Sequence, residues 1–159
     1  MLKVLTLVVA VFLASSHAHM YVFGSRGGVT PVDTSSDFFS LNPIGPCGGS
    51  VDSVAQYINV TKNDVFTISW ALIVNHNAPP AVPGTISFGY SQAPVSSSSS
   101  FNSLAPDVTV TNNPTNHYYP ITFPVPDIQG SGTIQIVYDV NGASSPYPIY
   151  YQCVDIYVQ

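Results

Sequence analysis

The chain has 159 residues, of which 45% are hydrophobic and only 7% charged, and its formal net charge is −5. That length suits one domain, and the charged share lies far below the roughly 25% of an ordinary soluble domain. All eight acids are Asp, and Lys3, Arg26 and Lys62 are the only bases. So few cations exclude a surface that tracks nucleic-acid phosphates and an electrostatic grip on anionic lipid. The lack of Glu, with abundant Tyr, Val, Thr, Ser, Gly and Pro, argues against long helices and for short strands joined by turns.

The N-terminus reads as an export signal. Lys3 is a positive n-region, and 4–14 is an apolar run too short to span a bilayer. Small residues at Ala14 and Ser16 allow cleavage before His17, and Ser16 and Ala18 allow cleavage before His19. Either cut leaves a mature chain that starts with histidine, so the leader is 1–16 or 1–18 and the domain 17–159. No later segment reads as a membrane span, and the last residues do not read as a lipid-anchor signal. The expected product is secreted or cell-surface associated, and monomeric. Two further features fit export. Asn59-Val60-Thr61 is a glycosylation sequon. Cys47 and Cys153 are the two cysteines, expected to form one disulfide in an oxidising compartment.

Strands are expected at 51–60, 64–74, 85–91, 107–111, 118–123, 132–140 and 149–158, with a turn at Thr61-Lys62-Asn63 between the first two. In the second, Phe66, Ile68, Trp70 and Leu72 share one face. About seven short strands with Pro, Gly and Asn between them predict an all-β fold, an antiparallel sandwich of the immunoglobulin or fibronectin-III kind. The serine run at 96–100 reads as a loop. The segment 25–46 is turn-rich.

Few chemistries fit these residues. Without Glu there is no paired-Glu acid and base. No Gly-x-Ser-x-Gly elbow and no phosphate loop with a following Lys occur. The four histidines are His17, His19, His76 and His117. A terminal histidine offers its α-amine and its imidazole to one metal, and a second imidazole adds a third nitrogen. That set suits Cu(II), which prefers tetragonal N/O ligation. The amine must lose a proton to bind, so affinity falls in acid. A chain starting at His17 also has histidine at position three. Such a tail can hold Cu(II) through its amine, two deprotonated amides and the His19 imidazole, with no need of a fold.

Three segments carry a family resemblance: the histidine-led start with an aromatic before Ser25-Arg26-Gly27, then Pro46-Cys47-Gly48-Gly49, then Tyr151-Gln152-Cys153-Val154-Asp155. In that order they resemble the copper-acquisition-factor family, related in fold to lytic polysaccharide monooxygenases. The resemblance implies a copper-binding histidine brace and copper as the bound metal. It implies capture or delivery of extracellular copper rather than polysaccharide cleavage. By the same resemblance the terminal ligand corresponds to His17, or to His19 with a shorter lead into Ser25-Arg26-Gly27. The internal one corresponds to His76, after a core strand, and a carboxylate ligand to Asp127 in Phe123-Pro124-Val125-Pro126-Asp127. The chain departs from the family in lacking a second cysteine pair, in having Gly24 before Ser25-Arg26-Gly27, and in the inserted Pro126. Partners implied are the copper ion and a membrane copper transporter or cell-wall polysaccharide.

Each of these residues also has a plainer role. His76 fits a loop histidine, His117 a structural or exposed one, Asp127 a turn, Asp155 a hydrogen bond near the disulfide, and Arg26 a partner for an Asp. Tyr118, Tyr119, Tyr150 and Tyr151 fit cross-strand packing or a carbohydrate-stacking face. Two other functions fit the sequence: a copper-dependent polysaccharide monooxygenase, and a metal-free adhesion or cell-wall sandwich. A carboxylate on the metal would fill a position that oxygen activation needs open, which ranks catalysis below copper handling.

Overall fold

The computed structural model describes residues 20–22, 45–48, 57–77, 79–92, 95, 99–115, 117–141 and 148–159. The leader, His17, His19, the Ser25-Arg26-Gly27 segment and most of the serine run lie outside the described residues.

Eight strands are described: β1 Met20–Val22, β2 Ile58–Val60, β3 Val65–Leu72, β4 Gly84–Gln92, β5 Asn102–Val110, β6 Tyr118–Pro124, β7 Gly130–Asp139 and β8 Ile149–Val158. They form a three-stranded sheet in the order β1-β3-β6 and a five-stranded sheet in the order β2-β8-β7-β4-β5. The β-sandwich expected from the spacing of strands and turns is what forms. Period-two alternation supplies its interior. Ile68, Trp70 and Leu72 of β3 meet Ile134, Ile136 and Tyr138 of β7, with Val154, Ile156 and Val158 of β8, in one core. Trp70 lies at its centre, with the Tyr119 ring stacked on it at 4.6 Å between centroids.

Three details differ from the sequence expectation. The segment 20–22 is a strand. The strand expected at 107–111 starts earlier, at Asn102, because β5 is an edge strand and tolerates Pro106 through a shift in its register against β4. And β2 pairs with β8 in parallel, Asn59 facing Tyr157, so the sandwich is not wholly antiparallel. The expected turn at Thr61-Lys62-Asn63 forms, with Asn63 at φ 65°, a backbone region that Asn tolerates. It is tied to the C-terminus by a bond from the Lys62 N–H to the Gln159 carbonyl.

The outer face of the five-stranded sheet is partly covered. Cys47 and Cys153 are joined by a disulfide and pack with Val95 and Phe101 in a second, smaller cluster. The Gln135 side chain donates to the Pro46 carbonyl at 2.8 Å, holding the same turn. Beneath this cover Asp155 is buried and accepts a 2.6 Å bond from the Thr133 hydroxyl, which gives it the structural role expected beside the disulfide.

The disulfide closes a loop of 106 residues and restricts the unfolded chain accordingly. Reduction, or the Cys47→Ser/Cys153→Ser pair, is expected to cost about 2–4 kcal/mol of stability. Urea unfolding of the oxidised and reduced protein checks this, and equal midpoints would refute it.

Candidate metal centre

The three-stranded sheet sets where β1 and the segments of His76 and His117 lie. Met20 pairs with Leu72, Tyr21 with Ala71 and Val22 with Trp70. Met20 and Val22 are wholly buried, which pins this register. On the other side of β3, Ala71 pairs with Tyr118 and Val65 with Pro124. The sheet is antiparallel, so the chain arrives at β1 at the end where β3 finishes and β6 begins. His76 follows β3 at this end. His117 immediately precedes β6 here.

His76 sits in a loop held by amides rather than charges. The Asn75 side chain donates to the carbonyls of Thr111 and Asn113, both at 2.9 Å, and accepts from the Asn77 N–H. Asn77 is buried. Its amide nitrogen donates to the carbonyls of Val82 and Val140, and its oxygen accepts the Tyr138 hydroxyl. Gly84 makes room for this, because a Cβ there would collide with Asn77 and with the Asp139 carbonyl. Between these two asparagines His76 is half-buried, its Nε2 atom covered, its ring parallel to that of Tyr150 with centroids 6.5 Å apart. The loop-histidine reading thus holds for its place in the chain, but the residue is fixed rather than exposed.

The Tyr138 phenol is pushed up to about 12, first by burial. The His76 backbone N–H bonded to the phenol opposes that rise, and the nearby Tyr150 adds to it.

Asp127 is placed elsewhere. It follows β6 at the end where Val65 begins β3, some 23 Å of strand away from Leu72 at about 3.3 Å per residue. There it forms an exposed ion pair with Lys62 at 2.7 Å. The Lys62 hydrogen bond, and then its charge, hold the Asp127 carboxyl below the usual carboxylate range. The structure therefore does not bring Asp127 and His76 together.

His117 is exposed and set edge-on to Tyr119 at 4.9 Å, at the histidine end of the sheet but on the strand far from β1. No group of three His, Cys, Asp or Glu side chains able to hold a metal occurs among the described residues. The His76 anchors Asn75, Asn77 and Tyr138 were not singled out in the sequence. The Asn-His-Asn triplet was the available signal, since asparagines flanking a loop residue commonly bond backbone groups nearby.

These observations define a class: a two-sheet sandwich that carries a fixed histidine after the central strand of its smaller sheet, at the end where the chain enters. Residues 26–159 match the model of the copper acquisition factor BIM1-like domain, and the chain belongs to that family of copper-binding proteins. The match begins downstream of His17 and His19. Among solved structures, the chain is similar to AA10A from T. fusca, at 16% identity and TM-score 0.41 over 79% of this chain and 70% of that one. It is also similar to ScLPMO10B in complex with zinc, at 15% and 0.40 over 77% and 69%. A third is an LPMO from Kitasatospora papulosa, at 16% and 0.38 over 80% and 70%. No curated protein sequence matches at a significant level.

Asn77→Ala is expected to cost about 2–4 kcal/mol, because it strands the Tyr138 hydroxyl and two carbonyls. The raised Tyr138 phenol stabilises the fold fully below its unfolded value, roughly 10, and this contribution is lost as pH climbs through about 12. Absorbance titration should show one tyrosine ionising late in the wild type, and its absence would disprove the arrangement.

Proposed function

We propose that the exported protein captures extracellular copper and passes it on, without cutting polysaccharide, through a histidine brace. The brace joins the α-amine and imidazole of the mature first residue, His17 or His19, to the imidazole of His76. The observation that carries this reading is the β1–β3 register. Met20 sits opposite Leu72, and only three residues separate Leu72 from His76. His19 immediately precedes Met20 in the chain. β1 thus begins at the end of the sheet where β3 runs into the His76 loop, which supports joining the first residue of the mature chain to His76. Three nitrogen donors and no carboxylate favour Cu(II) over oxygen-seeking cations.

Asp127 is left out of this set, because the far end of the sheet and Lys62 hold it. The chain's place in a copper acquisition factor family supports capture over catalysis. The recipient we infer is a membrane copper transporter or a site at the cell wall. The same end also favours a second binding mode when cleavage leaves His17, in which the His17-Ala18-His19 tail holds copper by itself.

Intact mass of the secreted protein fixes the first residue, and copper titration against a competing chelator then tests the ligands. His76→Ala is expected to weaken binding by more than the roughly 10–100-fold that loss of an outer-shell partner costs. An added N-terminal Met should do the same by moving the amine. Asp127→Ala should leave affinity unchanged. Full affinity in His76→Ala would reject the brace in favour of the tail, and a large loss in Asp127→Ala would reject the ligand set.

A further inference from the structure

We propose that Asn59 carries an N-linked glycan whose first N-acetylglucosamine lies on the Tyr57–Tyr157 ring pair. This inference needs export but is independent of copper. Three placements carry it. Strand alternation turns Val60 into the core and leaves Asn59 and Thr61 exposed, so both working residues of the sequon Asn59-Val60-Thr61 face solvent. Tyr57 lies two residues before Asn59, on the same side of the chain by that alternation. The parallel register sets Tyr157 of β8 directly beside Asn59.

The two rings meet edge to face with centroids 6.4 Å apart, yet Tyr57 remains 48% and Tyr157 45% exposed. They are two of only five large hydrophobic side chains so exposed among the described residues. Among the described residues β2 is the edge strand of its sheet.

Asn59 stands about 5 Å from its cross-strand neighbour and about 7 Å from a residue two places along. Those spans match the size of one sugar ring attached at the Asn59 amide. A pyranose presents C–H bonds on one face, and these meet an aromatic ring through dispersion and weak C–H contacts. The modification itself joins Asn59 Nδ2 to the anomeric carbon of a lipid-pyrophosphate-linked oligosaccharide. The lipid pyrophosphate leaves from that carbon, and Nδ2 gives up one proton. The glycan then covers two half-bare rings, a liability for association.

The test uses the full chain secreted from a eukaryotic host that glycosylates a control protein. Intact mass before and after glycosidase treatment reads occupancy at Asn59. Thermal melting then compares wild type, wild type trimmed to a single N-acetylglucosamine, and Asn59→Gln. The glycosylated and trimmed forms should both melt about 2–4 °C above Asn59→Gln, the scale of one added contact in a chain of this size. The gain should shrink to nothing in a Tyr57→Ser/Tyr157→Ser background. Proton spectra of the trimmed wild type should show sugar protons shifted upfield by the rings, a readout that survives even if the double variant fails to fold. An unmodified Asn59, a gain that persists without the tyrosines, or unshifted sugar protons would each overturn the proposal.

Discussion

The three-residue pairing of β1 with β3 is the constraint on which the histidine end depends. A ladder this short contributes little by itself. What fixes it is burial: Met20 and Val22 are both wholly enclosed. Full burial of such side chains is worth about 1.5–3 kcal/mol each. A slip of one residue would turn both toward solvent, so the register is defined by the apolar pattern rather than by hydrogen bonds. The first described residue, Met20, is thereby anchored beside the end of β3. β1 also packs on β8, which brings the same end against the five-stranded sheet.

The rest of that end is built without charge. Asn75 and Asn77 hold the loop through bonds to backbone carbonyls, and Tyr138 closes onto Asn77 from the opposite sheet. In a chain with 7% charged residues this is the available means of tying loops to sheets. Neutral hydrogen bonds of this kind are insensitive to ionic strength and to pH over the physiological range, unlike surface ion pairs. The loop geometry around His76 is therefore set by the fold and not by its ionic surroundings. The disulfide and its small apolar cluster serve the opposite face, clamping the Cys47 turn onto β8.

Much of the fold was legible in the sequence because alternation and turn residues are local signals. Phe66, Ile68, Trp70 and Leu72 do share the inward face of β3, and the single cysteine pair does form the disulfide. Pairing between distant strands was not legible. The three residues of β1 are too few to show a period. The parallel pairing of β2 with β8 leaves no local mark, and Pro106 hid the first half of β5, since a proline inside a run ordinarily argues against a strand. Asp127 shows the same limit at the site. Its distance along the chain from a strand end gave no sense of which end of the sheet it would reach. The antiparallel partnership of β3 and β6 decides that: residues before β6 join the histidine end, and residues after it join the far end.

That division gives the two ends of the smaller sheet different chemistry. At the far end, Asp127 is committed to Lys62, and its lowered pKa reflects that pairing. At the near end lie His76 and His117 with the amides of Asn75 and Asn77, to which the proposed brace adds the mature N-terminal amine and imidazole. Oxygen-rich sites suit calcium, magnesium and manganese, whereas imidazole and amine nitrogens suit copper, nickel and zinc, with Cu(II) bound most tightly of the divalent series. A carboxylate placed beside His76 would have broadened this preference toward harder cations. Its removal to the other end of β3 by strand topology, and its pairing with Lys62 there, leave only nitrogen donors in the proposed brace. In the proposed brace, selectivity for copper would follow from which residues the sheet order gathers at one end, as much as from the identity of any single ligand.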